Sequence, residues 1–71
     1  MIVRNARDIG SLVSTERKRQ GLTQADLAGL SGVGVTFLSQ LENGKGTAEI
    51  DKVLAVVATL GIDLVARKRG E

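Results

Sequence analysis

The chain has 71 residues, enough for one small domain, and its composition excludes several kinds of site. It contains neither cysteine nor histidine, which excludes disulfides, thiolate metal sites and catalysis by a thiol or an imidazole, so we expect no metal and no other cofactor. Lysine and arginine number 10 against 8 acidic residues, and the net charge of +2 mildly favours anionic partners. No apolar run reaches the roughly 18 residues of a membrane helix and no signal peptide is evident, so the expected location is the cytoplasm, without membrane association.

The first part of the chain has the signals of two helices. In each, an Asn or Thr is followed three residues later by Asp, which is the arrangement of an N-terminal helix cap, and a glycine after the apolar repeat ends the helix. These signals predict helices over 5–20 and 24–31. The capping and terminating residues are Asn5, Asp8 and Gly21 for the first helix and Thr23, Asp26 and Gly32 for the second.

A third, short helix is predicted over 35–43 and is closed by Gly44. At about 100° per residue, its apolar side chains fall on one face and its polar side chains on another. Two short helices joined by a glycine-containing turn of about three residues form a helix-turn-helix arrangement. The apolar face holds Phe37, Leu38 and Leu41, and the polar face holds Thr36, Ser39, Gln40 and Asn43.

A fourth helix follows the glycine-rich loop. Thr47 is predicted to cap its start, and Gly61 ends it. Its apolar residues form a continuous stripe that we expect to supply the largest share of the core. The stripe consists of Ile50, Val53, Leu54, Val57 and Leu60.

Residues 62–68 begin with apolar and β-branched side chains and end with charged ones, which predicts one β-strand. A lone strand leaves its backbone N–H and C=O groups unpaired, so it needs a partner in the same chain or the same strand of a second copy. Residues 1–4 could add a further strand. The alternative interpretation of the C-terminal segment is a frayed tail, which would leave its apolar side chains in water.

Three segments, 21–28, 31–33 and 38–44, closely resemble the Cro/cI-like (Xre) helix-turn-helix family, and the resemblance spans about residues 12–60. They contain the Thr-Gln start of a capped helix, the glycine of the turn and a Leu-Ser-x-x-Glu-x-Gly ending at the family's separations. The resemblance implies a mainly α, four-helix domain that binds DNA.

Beyond the fourth helix, the segment 61–65 and the short length of the chain are similar to the HipB-type antitoxins. In those proteins the C-terminal strand pairs with its dimer mate, and the dimer binds a HipA-type kinase toxin while repressing its own operon. The resemblance implies a homodimer in which residues 1–61 form the DNA-binding domain and residues 62–71 form a dimerisation strand and basic tail. The residues expected at the dimer interface are Ile62, Leu64 and Val65.

In such a fold the third helix enters the major groove of DNA, where each base pair presents a distinct pattern of donors and acceptors. We predict that the outer face of this helix reads bases through Val35, Thr36, Ser39 and Gln40. Gln40 is the leading candidate, because its amide both donates to and accepts from an adenine edge. The alternative interpretation of these polar residues is an ordinary solvated surface.

Five further residues are assigned roles that do not read sequence. The resemblance gives Gln24 a phosphate contact at the positive end of the second helix, and Asn43 and Lys45 are predicted to bind phosphate at the other end. Arg17 and Glu42 match positions that form an internal ion pair between the first and third helices of similar phage repressors. We therefore assign that pair to structure.

These features predict a sequence-specific transcriptional repressor that binds a double-stranded DNA operator as a homodimer and is the antitoxin of a HipBA-type operon. The alternative is a stand-alone Xre-type or phage-like repressor without a toxin. A third interpretation is a module whose main task is to neutralise a partner protein. An enzyme is not expected, since no carboxylate cluster lies on one face and residues 44–47 lack the spacing of a phosphate-binding loop.

Overall fold

The computed structural model describes residues 2–70 and contains four α-helices there: α1 (Ala6–Arg19), α2 (Gln24–Ser31), α3 (Val35–Glu42) and α4 (Ile50–Thr59). The predicted mainly α, four-helix architecture is confirmed, with small differences at the ends of α1 and α3. Met1 and Glu71, which belong to the predicted segments 1–4 and 62–71, lie outside the described residues. Within residues 2–70, no helix is long and apolar enough to cross a membrane.

The starts of α1 and α2 follow the predicted caps. The Asn5 side chain accepts a hydrogen bond from the backbone N–H of Asp8 at 2.9 Å. At α2, the Thr23 hydroxyl accepts from the Asp26 N–H and the Asp26 carboxylate accepts from the Thr23 N–H, each at 3.0 Å. This reciprocal capping box fixes the residue at which α2 begins, and so it fixes the position of Gln24.

The predicted cap of α4 is wrong. Thr47 lies in a turn, and the N-cap position belongs to Glu49, whose side chain makes no capping hydrogen bond. The Glu49 carbonyl accepts from the N–H groups of Lys52 and Val53, both at 3.1 Å. Thr47 belongs to the preceding turn and lies two residues before the N-cap position, so its hydroxyl does not cap the helix. The start of α4 is held by these backbone hydrogen bonds.

The core lies where α2 packs on α3 and α4 while α1 packs on α3. α4 and its C-cap supply the largest share of this core, as predicted, but part of the predicted stripe is wrong. Ile50 and Leu54 are 61% and 45% exposed, whereas Val56, outside the predicted stripe, is fully buried. The apolar arc of α4 is wider than the surface that the other helices cover. The buried apolar residues are Val13, Leu27, Ala28, Leu38, Leu41, Val53, Val56, Val57 and Leu60.

The C-terminal segment leaves α4 along the surface of the domain. The N–H of Ile62 donates to the Val57 carbonyl at 3.1 Å, and the Ile62 side chain packs against the core. Leu64 and Val65 are exposed, Val65 by 85%. Residues 2–70 of the single chain contain no strand, so the pairing of 62–68 stays a prediction.

α3 approaches α1 very closely at Gly10, which is buried. A Cβ atom at this position would lie 2.8 Å from the carbonyl oxygen of Glu42 and closer still to that of Leu41. Both neighbours are backbone atoms, which cannot move aside as the end of a flexible side chain can. Glycine therefore permits the close contact between the two helices.

Gly10→Ala is expected to lower the free energy of unfolding by about 1–3 kcal/mol, because the added methyl group pushes the helices apart. Gly29→Ala is the matched control, since it also lies within a helix but has nothing within 4 Å of a Cβ at that position. Alanine is the better helix former, so the control should gain up to about 1 kcal/mol. Urea unfolding measures both variants, and equal stabilisation of the two would contradict the close packing of α1 on α3.

Candidate nucleic-acid interface

The turn between α2 and α3 spans residues 32–34 and sets the angle between the two helices. Gly32 ends α2 at a φ of +72°, a left-handed conformation that glycine adopts without strain. The N–H groups of Gly32 and Val33 both donate to the Ala28 carbonyl, the latter at 3.0 Å. The two short helices and this turn form the predicted helix-turn-helix unit.

One face of α3 is buried and the opposite face is open to solvent. Its inward leucines belong to the core. The four predicted base-reading positions fall within an arc of about 140° on the outer side of the helix. Ser39 is half-buried, and the other three are exposed: Val35, Thr36 and Gln40.

The residues predicted to contact phosphate gather near the C-terminal end of α3. Asn43 and Lys45 are exposed directly after this helix. Gln24 is the first residue of α2, where the backbone N–H groups lack partners within the helix and the helix dipole is positive. Its side-chain Nε2 donates to Glu42 Oε1 at 3.1 Å. Gln24 therefore lies beside the end of α3, and the phosphate contacts of Gln24, Asn43 and Lys45 stay predictions.

The structure brings Arg17 and Glu42 together in a bidentate ion pair between α1 and α3. Arg17 Nε donates to Glu42 Oε2 at 2.7 Å, and Nη2 donates to Oε1 at 2.9 Å. Nη1 of the same guanidinium donates to the Leu22 carbonyl at 2.8 Å. The two side chains are only 10% and 6% exposed. With the bond from Gln24, this network joins α1, the loop after it, the start of α2 and the end of α3.

The ion pair shifts the pKa values of both partners. Burial alone would raise the pKa of Glu42, but hydrogen bonds from Arg17 and Gln24 outweigh it, so the pKa of this carboxyl lies below its ordinary value. The hydrogen bonds to Glu42 raise the pKa of Arg17. Because the pKa of Glu42 is lower in the folded state, its stabilisation is present above the unfolded pKa and is lost as the pH falls through the folded pKa.

The sequence does not predict all of this network. The predicted role of Gln24 is a phosphate contact and not a bond to Glu42, and no sequence signal identifies the Leu22 carbonyl as an acceptor. The close approach of α3 to Gly10 is likewise not predicted, although a lone glycine inside a predicted helix is a signal of close packing.

Comparison with known proteins identifies the family. A model of the HTH_3 helix-turn-helix family matches residues 13–66. The chain belongs to this family. The resemblance to Cro/cI-like (Xre) proteins is thereby confirmed, and the family is one of DNA-binding transcriptional regulators.

Two curated relatives support the assignment. The chain is 52% identical over 66 residues to the Uncharacterized HTH-type transcriptional regulator y4mF of Sinorhizobium fredii, which covers 90% of this chain and 87% of that protein. It is 27% identical over 67 residues to the ImmF control region 10 kDa protein of Bacillus phage phi105, which covers 94% of this chain and 74% of that protein. Both matches thus span nine-tenths or more of the chain.

Solved structures share the fold over almost the full length of the chain. HipB in a complex with an O4 20mer aligns with 97% of this chain and 97% of its own, at a TM-score of 0.88 and 16% identity. A HipB variant in a complex with an O2 20mer aligns with 97% of this chain and 96% of its own, at a TM-score of 0.88 and 17% identity. At these identities the likeness establishes the fold.

The Glu42→Ala variant is expected to lose about 3–5 kcal/mol of stability, because the change leaves the Arg17 guanidinium buried without its partner. Glu16→Ala is the control, since it removes an ion pair whose Arg19 side chain is 68% exposed and should change stability much less. Thermal and urea unfolding at neutral pH measure the difference. If Glu42→Ala melts at the wild-type temperature, the ion pair does not hold α3 in place.

Proposed function

We propose that this protein is a sequence-specific repressor whose α3 lies in the major groove of a double-stranded operator. The observation that supports this most directly is the outer face of α3, where exposed side chains able to bond to bases lie beside the residues suited to phosphate. A helix fits the major groove, so side chains on its outer face reach the edges of the bases.

The chemistry of this face suits direct reading of bases. The exposed Gln40 amide pairs a donor with an acceptor, which matches the N6 and N7 positions of adenine. Val35 and Thr36 present methyl groups that suit the thymine methyl, and the Ser39 hydroxyl donates or accepts. Adenine and thymine contacts are therefore expected within the operator half-site.

The groups at the end of α3 and the start of α2 suit contacts with phosphate. Lys45 supplies an exposed cation, and Asn43 supplies an exposed amide. Gln24 combines its amide with the positive end of α2. Such contacts fix the register of the protein on DNA and contribute to affinity for any sequence.

Gln40→Ala is expected to cost about 1–3 kcal/mol of binding free energy on the preferred operator and little on scrambled DNA, because only base contacts distinguish sequences. Gln24→Ala is the contrast, and it should weaken binding to both. The preferred operator is obtained by selection from a randomised duplex library, and fluorescence titrations measure affinity. Equal losses on both duplexes for Gln40→Ala would show that Gln40 does not read a base.

We also propose that the active form is a homodimer, with residues 1–61 as the DNA-binding domain and residues 62–71 as the dimerisation segment and basic tail. The segments 2–3 and 62–67 border a groove of mixed polar and apolar lining that includes Leu12. A second copy of 62–68, paired antiparallel, would satisfy backbone groups on both strands and cover exposed apolar side chains. A twofold dimer would place two recognition helices about 34 Å apart, one helical turn of DNA.

The interface is expected to extend onto α4. Ile50 and Leu54 on this helix are exposed, and so are Leu64 and Val65 on the C-terminal segment. Covering apolar surface of this kind is the main favourable term in most protein associations. A partner's Leu64 packed against α4 would therefore stabilise the dimer.

The double variant Leu64→Asp, Val65→Asp is expected to be a monomer, because charges replace apolar groups that the partner subunit is proposed to cover. Leu30→Asp is the control, since Leu30 is an exposed leucine on α2 that does not belong to the segment. Sedimentation velocity gives the mass of each protein, and circular dichroism shows whether each is folded. A folded double variant that remains a dimer would remove residues 62–68 from the interface.

We propose further that the protein is the antitoxin of a HipBA-type operon, which it represses while binding a HipA-type kinase toxin. The similarity in fold to HipB over 97% of both chains supports this proposal. The alternative is a stand-alone repressor without a toxin.

The antitoxin proposal predicts that a gene beside that of this protein encodes a HipA-type kinase. Expression of that kinase alone should arrest growth, and co-expression of this protein should restore growth and yield a complex of the two on size-exclusion chromatography. A kinase that arrests growth equally with and without this protein, or an operon without a kinase, would favour the stand-alone repressor.

A further inference from the structure

Arg7, in the first turn of α1, lies against the loop that follows α3. A Cβ atom at Gly44 would lie 3.1 Å from the Cα of Arg7 and 3.4 Å from its Cβ. The two backbones are therefore in contact. The side chain of Arg7 starts from the same part of the surface as Asn43 and Lys45, although 36 or more positions separate them in the sequence.

The guanidinium of Arg7 is free to bind an anion. Arg7 is exposed, and among residues 2–70 no carboxylate forms an ion pair with it. The arginines at the other end of α1 differ, because Arg17 is paired with Glu42 and Arg19 with Glu16. Asp8, the neighbouring acid, accepts instead from the backbone N–H of Arg4 at 2.9 Å.

We propose that Arg7 binds a DNA phosphate beside those bound by Asn43 and Lys45, so that α1 contributes to the interface. This inference rests on the proposed mode of DNA binding. A guanidinium presents a planar set of donors that matches two oxygens of a phosphate group. Its position beside the loop extends the phosphate-binding surface from the helix-turn-helix unit onto a third helix.

A purely structural role for Arg7 predicts different behaviour. The carbonyl end of α3 points toward α1 near Gly10, and a nearby cation could simply offset the negative end of that helix dipole. In that case the loss of the charge would lower stability and leave DNA binding to the folded protein unchanged. A phosphate contact instead changes the dependence of DNA affinity on salt.

The test compares Arg7→Gln with Lys18→Gln, which removes the same charge from an exposed position about 16 Å farther along α1. Affinity is measured for the selected operator and for a scrambled duplex between about 50 and 200 mM salt. For Arg7→Gln the slope of log affinity against log salt should become shallower by about one per subunit, and so by about two for the dimer, on both duplexes, with an unchanged melting temperature. Lys18→Gln should keep the wild-type slope, and so should Arg7→Lys, which retains the charge.

An unchanged slope in Arg7→Gln, or an equal fall in both glutamine variants, overturns the assignment of Arg7. The wild-type protein tests the proposed function separately. Tight binding to the selected operator with a steep salt slope supports that function whatever the Arg7 variant does. A wild-type protein that binds neither duplex contradicts both the function and the contact.

Discussion

The ion pair between Arg17 and Glu42 is the interaction on which the geometry of the proposed interface depends. It joins the end of α1 to the end of α3 by two charge-assisted hydrogen bonds in a nearly buried position. The third nitrogen of the guanidinium donates to the Leu22 carbonyl, and Glu42 Oε1 also accepts from Gln24. A buried pair is stabilising only when such further bonds satisfy it, and this one meets that condition.

α3 needs this support because it is short. A helix of eight residues is not stable alone in water, so its structure depends on contacts with the rest of the domain. The close approach at Gly10, the buried leucines and the ion pair all lie on its inner side or at its C-terminal end. The side chains of the outer face are therefore not needed to hold the helix in place, and they are available to contact bases. The same network places Gln24 beside the end of α3. It therefore positions both the residue proposed to bind phosphate and the helix proposed to read bases.

The sequence predicted the helices and their order because their signals are local. Caps such as Thr23 with Asp26 act within four residues, and the buried and exposed faces of α3 follow from helical spacing. The Thr47 cap failed for a local reason, since that residue belongs to the turn before α4. The other errors arose where distant contacts decide the outcome. The apolar stripe of α4 is wider than the surface that covers it, so spacing alone could not show that Ile50 and Leu54 stay exposed. The roles of Gly10 and Arg7 follow from their contacts with α3 and with the loop after it, which are distant in the sequence.

The most direct measurement is the nuclear magnetic resonance spectrum of the backbone amides of this protein during titration with its selected operator duplex. The largest changes are predicted for residues 35–43 and for the start of α2, with the core of the domain unchanged. Large changes confined to residues 62–68, with α3 unaffected, would contradict the claim that the outer face of α3 reads DNA.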